Sequence, residues 1–75
     1  MKLDPHANIP NFIRAVETCR GDVRFITPQG DHLNLKSSIS QFVFLAVLSD
    51  KLDQYPGELC VSDPTDVQAL ETFCI

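Results

Sequence analysis

Residues 22–36 carry the pattern that most restricts what this chain can fold into. Val23, Phe25 and Thr27 recur at every second position, and after Pro28-Gln29-Gly30 the alternation resumes at Leu33 and Leu35. Period two marks strands with one buried face. Proline presets the first residue of a type I turn and glycine takes the left-handed position, so Pro28-Gln29-Gly30 fits a three-residue hairpin loop. Loop length then sets the register: Thr27 opposes Asp31, Ile26 opposes His32, Phe25 opposes Leu33, Arg24 opposes Asn34, Val23 opposes Leu35 and Asp22 opposes Lys36. The apolar pairs land on one face, and opposite charges meet at the base.

Around this hairpin the pattern turns helical. Asn8-Ile9-Pro10 is a capping side chain followed by proline in a first turn, where the missing N–H costs nothing. Ile9, Phe12, Ile13 and Val16 follow at helical spacing towards Cys19, with Arg20 suited to the negative helix end and Gly21 as the stop, giving a helix over about 10–20. Ser38-Ile39-Ser40-Gln41 has the form of a capping box with Ser38 as the cap. The residues behind it, Phe42-Val43-Phe44-Leu45-Ala46-Val47-Leu48, leave little room for a polar face, which predicts a helix buried nearly all round. Ser49–Gly57 is polar and closes on the turn signal Tyr55-Pro56-Gly57. Leu59 and Val61 alternate with Cys60 and Ser62 as a short third strand. Asp63-Pro64 starts a last helix, with Val67, Leu70, Phe73 and Cys74 on its inner face. The expected fold is α+β, in the order α-β-β-α-β-α: a three-stranded antiparallel sheet, the third strand beside the first, with helices packed mainly on one face. Residues 1–75 make one small domain, with 1–8 read as a flexible tail.

A chain of 75 residues has a thin core, burying only about 60% of the surface its unfolded form exposes. Self-association is a natural way to add buried area. With 44% hydrophobic and 21% charged residues the composition is that of a globular domain rather than a disordered one. The net charge of −4 leaves little material for the broad basic field of a nucleic-acid binder. Cys19, Cys60 and Cys74 stand 41 and 14 positions apart, an odd count with no C-x-x-C pair. This argues against a secreted disulfide scaffold and a cysteine-based zinc site, and for small core residues in a reducing cytoplasm. The longest apolar run, Phe42–Leu48, is far short of the ~20 residues that span a bilayer.

No constellation for catalysis is legible. Lys36-Ser37-Ser38 sits between a strand and a helix N-terminus, but Leu35 stands where a phosphate-binding loop needs glycine, so the backbone cannot wrap a polyphosphate. Asp50, Asp53, Glu58 and Asp63 match no calcium-loop spacing and read as a solvated acidic edge. Cys60 points away from Leu59 and Val61 towards the hairpin's polar face, where a pairing with His32 would need geometry that spacing does not supply. The polar face itself is the candidate binding surface: Arg24, His32, Asn34 and Lys36 share it, a set suited to an anionic group or to plain solvation.

Gly21-Asp22-Val23-Arg24-Phe25, Gly30-Asp31-His32-Leu33-Asn34-Leu35-Lys36-Ser37 and Ser40-Gln41 resemble a family of short uncharacterised proteins. Their pattern runs "GDV-aromatic … EGD-x-LNLKS-x-LSQ" before an acidic helix. They are encoded in genomes and mobile elements of gut-dwelling anaerobic bacteria and sometimes carry the label "polyA polymerase". The resemblance covers about residues 10–73 and implies a bacterial accessory protein. It supplies no catalytic residues. The polymerase label does not fit, because a nucleotidyltransferase needs a Gly-Ser loop and paired metal-binding aspartates on a far larger scaffold.

These readings converge on a cytoplasmic, self-associating protein-interaction module, expected as a homodimer through Phe44, Val47 and Leu48, with no cofactor, metal, membrane or enzymatic role. Binding of nucleic acid or a phosphorylated ligand through Arg24, His32, Asn34 and Lys36 is the alternative.

Overall fold

The computed structural model describes the backbone of residues 1–51, 54 and 57–75, and the side chains of all of these but Leu48 and Ser49. The elements follow the expected order: α1 (Ile9–Thr18), β1 (Val23–Ile26), β2 (His32–Asn34), α2 (Ser38–Val43), β3 (Glu58–Val61) and α3 (Val67–Leu70). Three-residue 3₁₀ turns flank α3, and α2 continues through π-helical turns at Phe44–Leu48 into a 3₁₀ turn at Ser49–Lys51. The sheet order is β2-β1-β3, antiparallel throughout. The Tyr55-Pro56 turn and Asp53 of the acidic edge lie outside the described residues.

The hairpin register is the expected one, with Arg24 opposite Asn34, Phe25 opposite Leu33 and Ile26 opposite His32. Gly30 closes the loop at φ 90°, its N–H donating to the Thr27 carbonyl at 2.9 Å. A left-handed backbone of this kind carries a steric cost for any residue with a Cβ. Thr27 seals the loop a second time, because its hydroxyl accepts the Asp31 N–H at 3.1 Å.

The core lies between the inner sheet face and the helices. Val23, Phe25, Leu35 and Leu59 from the sheet and its margins meet Phe12, Val16 and Leu70 from α1 and α3. Four phenylalanines form its spine: Phe73 packs on Phe12 at 5.7 Å between centroids, Phe12 on Phe44 at 6.1 Å, and Phe44 on Phe25 at 5.1 Å. Each successive ring comes from a different element, so the chain of rings ties the C-terminal turns, α1, the π-helical segment and β1 together. Edge-on and tilted pairings of this kind add modestly to the area they bury.

Several expectations give way to the packing. Ser38 is not the cap of α2; Ser37 is, without a side-chain bond, and the Gln41 amide reaches past it to the Leu35 carbonyl at 2.7 Å. The second helix is not buried all round. α2 itself contains no buried residue, and among the described side chains of the apolar run it is Phe44 that enters the core. Phe44 therefore cannot serve as an outward self-association residue. Helical positions advance ~100° per residue, so Phe42 and Phe44 face roughly opposite ways and one ring in the core holds the other out. Gly21 does not stop α1 with a left-handed turn; Cys19 leaves the helix in an extended conformation. Nor do residues 1–8 hang free. Leu3 is buried, Lys2 bridges Glu58, Leu3 bridges Cys74, and the Asp4 N–H donates to the Phe73 carbonyl at 2.9 Å.

Candidate functional site

Cross-strand pairing arranges the outer sheet face in two rows, Asn34–Arg24–Cys60 and His32–Ile26–Glu58. Arg24, His32 and Asn34 of the predicted binding set are exposed together on this face. Cys60 joins them, as its alternation implies. Near Arg24 the face dips into a depression of about 210 Å³, lined by Asp22, Arg24, Cys60, Val61 and Ser62. Asp22 places a carboxylate beside the guanidinium there, which opposes the binding of an anion.

Lys36 is not part of this surface. Its ammonium donates to the carbonyls of Cys19 at 2.6 Å, Val16 at 3.3 Å and Glu17 at 3.4 Å at the end of α1, where the Val16 carbonyl also accepts the Cys19 N–H. A helix C-terminus presents free carbonyls and partial negative charge, and a lysine that reaches it gains hydrogen bonds unavailable on an open strand. The expected Asp22–Lys36 pair is lost for the same reason. Asp22 instead pairs with Ser62 through both backbone and hydroxyl, at 3.0 and 2.7 Å. The chain turns out of β2 one residue early, through Asn34, whose side chain accepts the Lys36 N–H at 3.0 Å and whose carbonyl accepts the Ser37 N–H at 3.0 Å.

The second surface lies along α2. Ile39 is 77% exposed, Phe42 72%, Val43 37% and Val47 52%. Ile39 and Val43 are four apart and Phe42 sits between them, so they share one flank of the helix. Below them a cleft of about 380 Å³ opens between this flank and the hairpin, lined by Thr27, Asp31, His32, Leu33, Val43 and Val47. Of the residues predicted for self-association, Val47 is on this surface, Phe44 is in the core and the Leu48 side chain lies outside those described. Sequence reading missed Ile39, Phe42 and Val43. The Ile39–Phe42–Val43 spacing marks them as one face, but not as the face turned outward.

Among the described residues, no three His, Cys, Asp or Glu side chains come together to hold a metal ion, and no helix is long and apolar enough to cross a membrane. Burial raises the thiol pKa of both Cys19 and Cys74 above its ordinary value, with the Asp66 carboxylate adding to the effect at Cys19. Raised pKa values hold these thiols protonated, the opposite of what a nucleophile needs. No family model, curated protein or solved structure matches the chain.

Proposed function

We propose that this protein is a small interaction module that associates with itself through the apolar flank of α2. The observation that carries this reading is the outward placement of Ile39, Phe42, Val43 and Val47 as one contiguous strip. Single exposed apolar residues are ordinary on protein surfaces, whereas a contiguous strip headed by a phenylalanine marks an interaction surface. A thin-cored chain gains buried area by pairing such strips. Light scattering over a concentration series tests the idea, with dimers expected at micromolar concentration. Phe42→Glu should yield a folded monomer by circular dichroism. A wild-type monomer at every concentration would refute self-association.

Binding of nucleic acid or a phosphorylated ligand through Arg24, His32 and Asn34 is the weaker reading. Their shared exposure supports it, but Lys36 is engaged elsewhere and Asp22 and Glu58 flank the remaining cation. The two readings separate by salt, since phosphate contacts weaken steeply with ionic strength and apolar association does not.

A further inference from the structure

The two edges of the sheet are treated differently. At β3 the Leu59 N–H donates to the Met1 carbonyl at 2.6 Å and Lys2 bridges Glu58, so Met1 and Lys2 cover that edge at Glu58 and Leu59. At β2 the Thr27 N–H donates to the Asp31 carbonyl at 2.9 Å and the Leu35 N–H to the Val23 carbonyl at 2.7 Å. Residues 31, 33 and 35 therefore face β1, and antiparallel alternation turns the N–H and C=O of His32 and Asn34 outward. Among the described residues, only the Asn34 carbonyl has a partner on this side, the Ser37 N–H, and a carbonyl accepts two bonds. Edge strands are commonly guarded by proline, lysine or an inward charge. His32-Leu33-Asn34 has none of these, and the apolar flank of α2 stands directly beside it.

We infer that the open β2 edge receives β2 of a second copy, antiparallel about a two-fold axis at Leu33, joining two sheets into one of six strands. This rests on the self-association proposed above and specifies its geometry. The register follows from hydrogen-bond satisfaction. With Leu33 opposite its own symmetry mate, each His32 faces the other copy's Asn34, and each of those pairs exchanges both N–H···O=C bonds. Centring on His32 or Asn34 would leave outward groups of the other residue without a strand partner. The same axis brings the two Leu33 side chains together on the helix side, where the clefts lined by Val43 and Val47 merge. Ile39, Phe42, Val43 and Val47 expose on the order of 400 Å² per copy, about half of the ~800 Å² that each partner of a standard interface buries. The strand edge and Leu33 supply further area. An isologous contact of this kind closes at two copies.

Amide hydrogen exchange read by NMR across the association range tests the register. The His32 and Asn34 amides should gain protection in step with the dimer fraction, by tenfold or more at full association. Leu33→Cys in a Cys60→Ser background should form an intermolecular disulfide between the substituted positions, because non-hydrogen-bonded antiparallel partners place Cα atoms ~4.5 Å apart, within disulfide reach. His32→Pro removes an outward N–H that β1 does not use, and should weaken the dimer tenfold or more. Dimers whose His32 and Asn34 amides stay fast-exchanging, or assembly that grows past two copies, would overturn the strand pairing and leave self-association standing. Absence of any dimer would remove both.

Discussion

Lys36 and Asp66 hold the same chain reversal, one through its carbonyls and the other through its N–H groups. Lys36 donates to the carbonyls of Val16, Glu17 and Cys19, while Asp66, itself buried, accepts the Arg20 N–H at 3.0 Å and the Gly21 N–H at 2.8 Å. Between them they satisfy the backbone where α1 ends and β1 begins. One residue comes from the end of the hairpin and the other from the turn before α3, so this junction reports on the assembly of the whole fold.

Removing Asp66 should therefore be costly. Asp66→Ala leaves two N–H groups without their acceptor and should destabilise by about 2–4 kcal/mol, while Asp66→Asn, which keeps one acceptor oxygen, should cost about 1 kcal/mol. Lys36→Met should cost about 1–2 kcal/mol. Urea unfolding of the single and double variants should show less than additive losses, because either change alone loosens the shared turn.

The two glycines at Gly30 and Gly57 should respond differently to alanine. At Gly30 the space is open and the strain lies in the backbone, so Gly30→Ala should cost about 1 kcal/mol and Gly30→Val about 1–3 kcal/mol. At Gly57 the Phe25 ring occupies the position an added Cβ would take. Gly57→Ala should displace that ring from Phe44 and cost about 1–3 kcal/mol with altered near-ultraviolet circular dichroism.

Two phenylalanines two residues apart should separate stability from association. Phe44→Ala removes a ring that touches both Phe12 and Phe25 and should destabilise by about 3–5 kcal/mol. Phe42→Ala should change thermal stability of the monomer by no more than about 0.5 kcal/mol, the range for exposed positions.

Thiol reactivity should follow burial. Iodoacetamide at mildly alkaline pH should modify exposed Cys60 first, half-buried Cys74 next and buried Cys19 last, by peptide mass spectrometry. Because burial raises the folded-state pKa of Cys19 and Cys74, their contribution to stability is present below the unfolded thiol pKa and is lost as pH rises through the folded one.

Acid should act through Asp63 with the opposite sign. The N–H and hydroxyl of Thr65 hold its carboxyl below the usual carboxylate range. Stability from this cap is present above the unfolded pKa and is lost as pH falls through the folded one. Asp63→Asn should therefore show a shallower loss of melting temperature between neutral and acidic pH than the parent chain.

How much of this was legible in the sequence depends on how local each cause is. The hairpin register was readable because loop length, glycine position and alternation all act within 22–36, and they agree. The β2-β1-β3 order followed from the placement of a crossover helix between β2 and β3. Lys36 was misread because its partners are carbonyls of residues 16–19, and backbone acceptors leave no mark in a sequence. Phe44 was misread for a related reason: an all-apolar run shows that some face is buried but not which one. Which face goes inward was decided by Phe12 and Phe25, two distant rings that leave room for Phe44 between them.

The docking of residues 1–4 carries a consequence for how the chain reaches this state during translation. Their partners are Glu58, Leu59, Phe73, Cys74 and Ile75, with the Ile75 N–H donating to the Lys2 carbonyl at 2.9 Å. These four residues leave the ribosome long before anything they can pair with, and contacts of such sequence separation form late because loop closure precedes any gain from them. Until the last turn is released, Leu3 stays in water and the β3 edge, once formed, stays bare. The edge is thus covered only after residues 73–75 have been made, and a nascent chain paused before them would expose both edges of its sheet to neighbouring polypeptides.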